Sequence, residues 1–154
     1  MTGSPTTVFV DPAVPRPALW LGGLGLLPFT AATMVAAIAP SLQETAVALL
    51  TAYGAVILSF LGGVLWGLII ARPASDRVGC LLALSIMPSL IAWLAFLLPP
   101  LIALVMLAVS FACWLFVDRR MAHEKIAPVW YPRLRLPLTA IVVACLALAA
   151  LTIA

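Results

Sequence analysis

Charge is what this chain has least of. Only 8% of its 154 residues are charged, against 66% hydrophobic. A soluble domain averages about 25% charged and 45–50% apolar. A surface facing water on all sides is therefore excluded, and the medium around most of the chain is lipid. Histidine occurs once, as His123, and cysteine three times. That leaves neither a metal-ligand spacing nor a disulfide framework. Cys80, Cys113 and Cys145 all fall within apolar runs and read as small buried side chains. No nucleotide loop or nucleophile motif occurs, and His123 beside Glu124 in a polar stretch is weak ground for acid–base chemistry. The expectation is a protein that is not an enzyme, uses no cofactor and binds no nucleic acid.

What is present is hydrophobic length. Five apolar runs cover about residues 18–39, 46–71, 78–98, 101–117 and 137–154, each close to the roughly 20 residues a bilayer-spanning helix needs. They are apolar on all sides, without the alternation of a membrane β-barrel. The fold class predicted is all-α: a polytopic integral membrane protein, a bundle of five transmembrane helices spanning residues 18–154. Residues 1–17, rich in Pro and Thr, read as a mobile tail, and residues 118–136 as a basic loop. Ala37-Ile38-Ala39 has the small-x-small look of a signal cleavage site, but Pro40 follows directly and disfavours cleavage.

The charges that exist are unevenly placed. Arg16 precedes the first run, Arg72 and Arg77 lie between the second and third, and Arg119, Arg120, Lys125, Arg133 and Arg135 lie between the fourth and fifth. These are alternate connections, hence one side of the membrane, which the positive-inside rule makes cytoplasmic. The N-terminus is expected inside and the C-terminus outside, in a bacterial inner membrane. No Asp, Glu, Lys, Arg or His is expected at membrane depth, where ion-coupled transporters keep one.

Three groups of residues stand out as candidate sites. In "YGAVILSFLGGVLWG" the small residues Ala55, Ser59, Gly63 and Gly67 recur every fourth position, with Gly62 beside them. In a helix this makes a ridge of small side chains, the device that lets helices approach closely in lipid, where no hydrophobic force drives them together. The ridge is a surface for packing within the bundle or for a partner or second copy. Second, Pro28 and Pro88 fall near the middle of their runs, and Ser85 and Ser89 flank Pro88. A mid-helix proline frees a carbonyl and kinks the helix, so these four residues mark kinks and a possible cavity. Third, Arg119, Arg120, Lys125, Trp130, Tyr131, Arg133 and Arg135 crowd the basic loop. Three prolines, Pro128, Pro132 and Pro137, argue against a helix there. An extended Arg133–Leu136 would aim both arginines one way, toward anionic headgroups or a docking protein at the cytoplasmic face.

The stretches "LGLLPF", "YGAVILSFLGGVLWG" with the later "MPSLIAWL", and "WYPRLRLPLT" resemble the transmembrane protein 69-like family, domain of unknown function 3429. The resemblance covers about residue 15 to the end. It implies a small integral membrane protein and brings no activity, ligand or catalytic residue. Its motif residues include Tyr53, Gly54, Ser59, Gly62, Gly63, Trp66, Gly67, Pro88, Ser89, Trp130, Tyr131, Arg133 and Arg135. The function expected is that of a non-enzymatic accessory, assembly or scaffold protein, acting through helix and lipid contacts as an oligomer or in a larger membrane complex. The alternative is a small permease or flippase-like transporter of a neutral or amphipathic solute.

Overall fold

A computed structural model describes residues 13–71 and 77–154. Most of the N-terminal tail and Arg72 lie outside the described residues. Among the described residues six α-helices follow in order: α1 (Arg16–Leu24), α2 (Leu27–Ile38), α3 (Gln43–Ile70), α4 (Val78–Ala95), α5 (Pro100–His123) and α6 (Tyr131–Ile153), with a 3-10 turn at Pro40–Leu42. They make five membrane-length apolar spans, because α1 and α2 together form the first.

The break in that first span is the work of Pro28. A proline has no N–H to give the carbonyl four residues back, and here the helix stops at Leu24 and restarts at Leu27 with Pro28 in its first turn. Side-chain hydroxyls bond carbonyls around the break. The Tyr53 hydroxyl of α3 donates to the Gly25 carbonyl at 3.1 Å, and the Thr30 hydroxyl lies 3.2 and 3.0 Å from the carbonyls of Leu26 and Leu27. In α4 the helix runs through Pro88 unbroken, and the Ser85 hydroxyl donates to the Leu82 carbonyl at 2.6 Å.

The longest expected loop is mostly helix. Instead of ending near residue 117, α5 continues to His123, and α6 begins at Tyr131 rather than Pro137. Arg, Met and Ala in "DRRMAH" are good helix formers. Pro132 sits in the first turn of α6, where its missing N–H has no helical partner to lose. Pro137 lies inside the helix, as membrane helices tolerate. Arg133–Leu136 is therefore not extended. The turn left between the helices is capped tightly. Lys125 takes φ 59°, Ile126 N–H donates to the Met121 carbonyl at 2.9 Å and Lys125 N–H to Ala122 at 3.1 Å. This is a Schellman cap with lysine in the left-handed position usually given to glycine.

Helix α3 is the most enclosed element. It packs against α2, α4 and α5, while α6 closes the bundle against α5 and α2, and α1 lies on α6. Phe29 sits at the centre, its ring edge-to-face with Tyr53 (5.0 Å) and Phe111 (6.1 Å), among fully buried Leu50, Leu58, Leu104, Leu107 and Leu146. Hydrogen bonds to its backbone carbonyls tie α6 to α2 and α3: the Thr33 hydroxyl donates to the Cys145 carbonyl (3.2 Å) and the Gln43 side-chain amide to the Thr152 carbonyl (2.9 Å). The outer surface is apolar, with Trp20, Met34, Phe60, Trp93, Phe116 and Leu151 exposed, as lipid contact requires. Cys80 and Cys113 also lie on this surface and only Cys145 is buried, which corrects the expectation for the first two.

Candidate functional site

The small-residue ridge of α3 does not stay on one face of the bundle. An α-helix turns about 100° per residue, so a strict four-residue repeat drifts about 40° per step. Ala55 is buried and Ser59 half-buried, but Gly63 and Gly67 are exposed, with no atom within 4 Å of where a Cβ would stand. The glycines that work inside the bundle are Gly54 and Gly62, both buried, with Leu58 buried between them. A Cβ on Gly62 would collide with the Ser85 carbonyl oxygen and press on the Pro88 ring at 3.3 Å; one on Gly54 would lie 3.2 Å from Leu107 Cδ1. Gly62 thus lets the α3 backbone approach α4 at its proline. The fourfold pattern drew attention to Gly63 and Gly67, and the wider Gly54–Gly62 spacing carried the interior signal.

The proline-and-serine group divides as well. Ser85 and Pro88 are buried, while Ser89 is exposed. Pro28 lines a separate apolar cleft of about 460 Å³ with Ala31, Val35, Leu49 and Tyr53. A larger cleft of about 580 Å³ lies at the opposite end from the cations, walled by Val47, Phe96, Leu101 and Ile153 with Gln43 and Glu44 at its edge. Neither of these two clefts is lined by Ser85, Pro88 or Ser89.

The basic residues separate into surface and interior. Arg119, Arg120, Lys125 and Arg133 are exposed, and Arg120 pairs with Glu124 at 3.0 Å, one turn along α5. Trp130 and Tyr131 are half-buried and meet edge-to-face at 6.1 Å. Arg135 departs from the headgroup expectation. It is turned into the bundle, where its Nε donates to Asp118 Oδ2 at 2.9 Å, with the two side chains only 9% and 7% exposed. In a helix Arg133 and Arg135 point about 200° apart, so one faces out and the other in. The sequence places both partners in a loop beyond the apolar runs; here they lie inside membrane-length helices, close to their ends. Such residues normally pair, face the bundle interior and mark functional positions.

Three more features surround this pair. Trp114 Nε1, Arg135 Nη2 and Thr139 Oγ1 are all buried without a hydrogen-bond partner. Trp114 precedes Asp118 by four residues, and Thr139 follows Arg135 by four. In antiparallel helices, the register that joins Asp118 to Arg135 brings Trp114 and Thr139 level, one turn deeper. Asp118 and this cluster went unseen in the sequence, because the charges stand one and two residues beyond the apolar runs and pass for loop. The signal available was opposite charge on both sides of a short hairpin, with Met121 and Ala122 extending the apolar pattern past Asp118.

These features define a class: a five-span, all-α integral membrane protein whose bundle encloses an ion pair near one end. The chain matches the family described as protein of unknown function DUF3429 over residues 14–151, and it belongs to that family. Transmembrane protein 69 of Xenopus tropicalis is 35% identical over 130 residues, 84% of this chain and 51% of the frog protein. Transmembrane protein 69 of Mus musculus is 37% identical over 84 residues, 54% of this chain and 34% of the mouse protein. The chain thus spans about half the length of the frog relative and about a third of the mouse one. No solved structure matches it.

Proposed function

We propose that this is a non-enzymatic membrane protein that works by holding another transmembrane helix, from a second copy or from a larger complex, as an accessory or assembly factor. One observation carries the reading: Gly63 and Gly67 stand a turn apart on α3 with nothing packed on them, flanked by exposed Phe60, Trp66 and Ile70. Paired small residues bring backbones into van der Waals contact, which in lipid is the main source of helix association. Anionic headgroups at the cationic end would orient the complex through Arg119, Arg120, Lys125 and Arg133. The transporter alternative has less support, because Ser85 and Pro88 are packed against Gly62 of α3 while Pro28 lines a separate cleft.

We place the cationic end in the cytoplasm of a bacterial cell, N-terminus inside and C-terminus outside. Every described Lys and Arg lies at that end, as the positive-inside rule expects. The functional test is purification in a mild detergent or native nanodiscs, comparing wild type with Gly63→Leu and Gly67→Leu. The reading expects a stoichiometric partner or oligomer with wild type and a folded monomer with the variants. A wild-type protein that is strictly monomeric in native nanodiscs overturns it. A reporter fused after Ala154 that works only outside supports the topology, and one that works only in the cytoplasm overturns it.

A further inference from the structure

The α5–α6 seam holds a chemical imbalance. Three buried groups, the Trp114 indole N–H, an Arg135 guanidinium N–H and the Thr139 hydroxyl, lack any acceptor. They lie within about one helical turn of each other by the register of the Asp118–Arg135 contact. Trp114, Arg135 and Thr139 are 6%, 7% and 3% exposed, so bulk water does not serve them. Buried donors are normally satisfied, and one left alone is costly. All three can donate, and two of them, the indole and the guanidinium, can do nothing else.

We infer that this cluster binds a small monovalent inorganic anion of about chloride size. A water molecule accepts two hydrogen bonds and brings two donors that need acceptors of their own. An anion accepts three or more and brings none. The surrounding field favours it, since the described cations all lie at this end of the bundle, against Asp118 and Glu124 among the described acidic residues there. Arg135 holds Asp118 through Nε and keeps Nη2 for the ligand, so one guanidinium serves both. The depth of burial favours a small ion over the phosphate of a lipid headgroup, which would have to carry its glycerol between two packed helices.

The test uses the full-length protein in phosphatidylcholine nanodiscs, with sodium chloride replacing sodium gluconate at constant ionic strength. Wild type is expected to show a saturable rise in its thermal unfolding midpoint with chloride, and broadening of the chloride-35 resonance that excess nitrate reverses. Thr139→Val keeps the side-chain shape and removes the hydroxyl; Trp114→Phe removes the N–H. Each is expected to weaken the apparent chloride affinity by about tenfold, the effect of one lost hydrogen bond to a charged group. If nothing binds, deleting an orphaned donor is neutral or stabilising. The proposal is therefore overturned if wild type ignores chloride, if Thr139→Val raises the midpoint equally in both salts, or if both variants keep the wild-type response. It is also overturned if stabilisation follows phosphatidylglycerol in the nanodisc and not chloride, which would assign the donors to lipid phosphate. Should a variant fail to fold, resonance broadening on the wild type alone decides.

Discussion

Two seams hold this bundle, and they are built on opposite principles. Between α3 and α4 the contact is bare backbone: Gly62 offers no side chain, and the Ser85 carbonyl and Pro88 ring fill the space. Between α5 and α6 the contact includes a full ion pair, Asp118 to Arg135, drawn out of solvent. The first seam depends on nothing being added. The second depends on nothing being removed, because each charge is tolerable only while the other is present. In lipid both are workable answers to the same problem, the absence of a hydrophobic force between helices.

The comparison is broken most severely at the ion pair. Asp118→Ala leaves Arg135 buried and unpaired, and is expected to lower stability by about 3–5 kcal/mol, read as the denaturation midpoint by circular dichroism in detergent. Replacing both partners, with Asp118→Leu and Arg135→Met together, should recover most of that loss, since a buried pair exchanged for apolar residues is often neutral or better. A double variant as unstable as the single one would mean that the pair's cost lies elsewhere than in the orphaned charge. Next in size is Gly62→Ala. Its added methyl meets backbone rather than a flexible side-chain end, and overpacking of this kind costs about 1–3 kcal/mol. An unchanged midpoint would show that α3 and α4 are not in tight contact at Pro88.

Smaller effects sharpen the contrast. Tyr53→Phe removes the hydroxyl that serves the Gly25 carbonyl at the break in the first span and should cost about 0.5–1.5 kcal/mol, with faster amide exchange around Gly25 as the local readout. Gly63→Leu faces open space and should change the monomer's stability by no more than about 0.5 kcal/mol. Two glycines adjacent in sequence, Gly62 and Gly63, are thus expected to differ in kind: one change harms folding and the other only association. Equal destabilisation by both would erase the distinction between the covered and the bare face of α3.

How much of this was legible beforehand follows from the physics of each signal. The five spans were readable because crossing a bilayer demands about 20 apolar residues in a row, a constraint written into composition itself. The Pro28 interruption was readable as a kink, though the full break into α1 and α2 also involves Gly25 and the hydroxyl of Tyr53, which arrives from another helix. The ends of α5 and α6 are not legible in the same way, because both helices run on past the limit of their apolar residues. Asp118 and Arg135 can continue their helices inward only because they neutralise one another, and neither residue reveals that alone. The choice of Gly62 over Gly63 was equally hidden, since it depends on the angle at which α4 crosses α3.

By itself, then, the sequence determined the medium, the number of crossings and the gathering of cations at one end. These follow from transfer free energy and charge, which are properties of single residues and short windows. Tertiary structure alone decided which glycine is covered, which arginine turns inward and which donors are left without acceptors. Those outcomes depend on pairs of residues brought together by packing, Gly62 with Ser85 and Arg135 with Asp118, and a pair is not a property of either member.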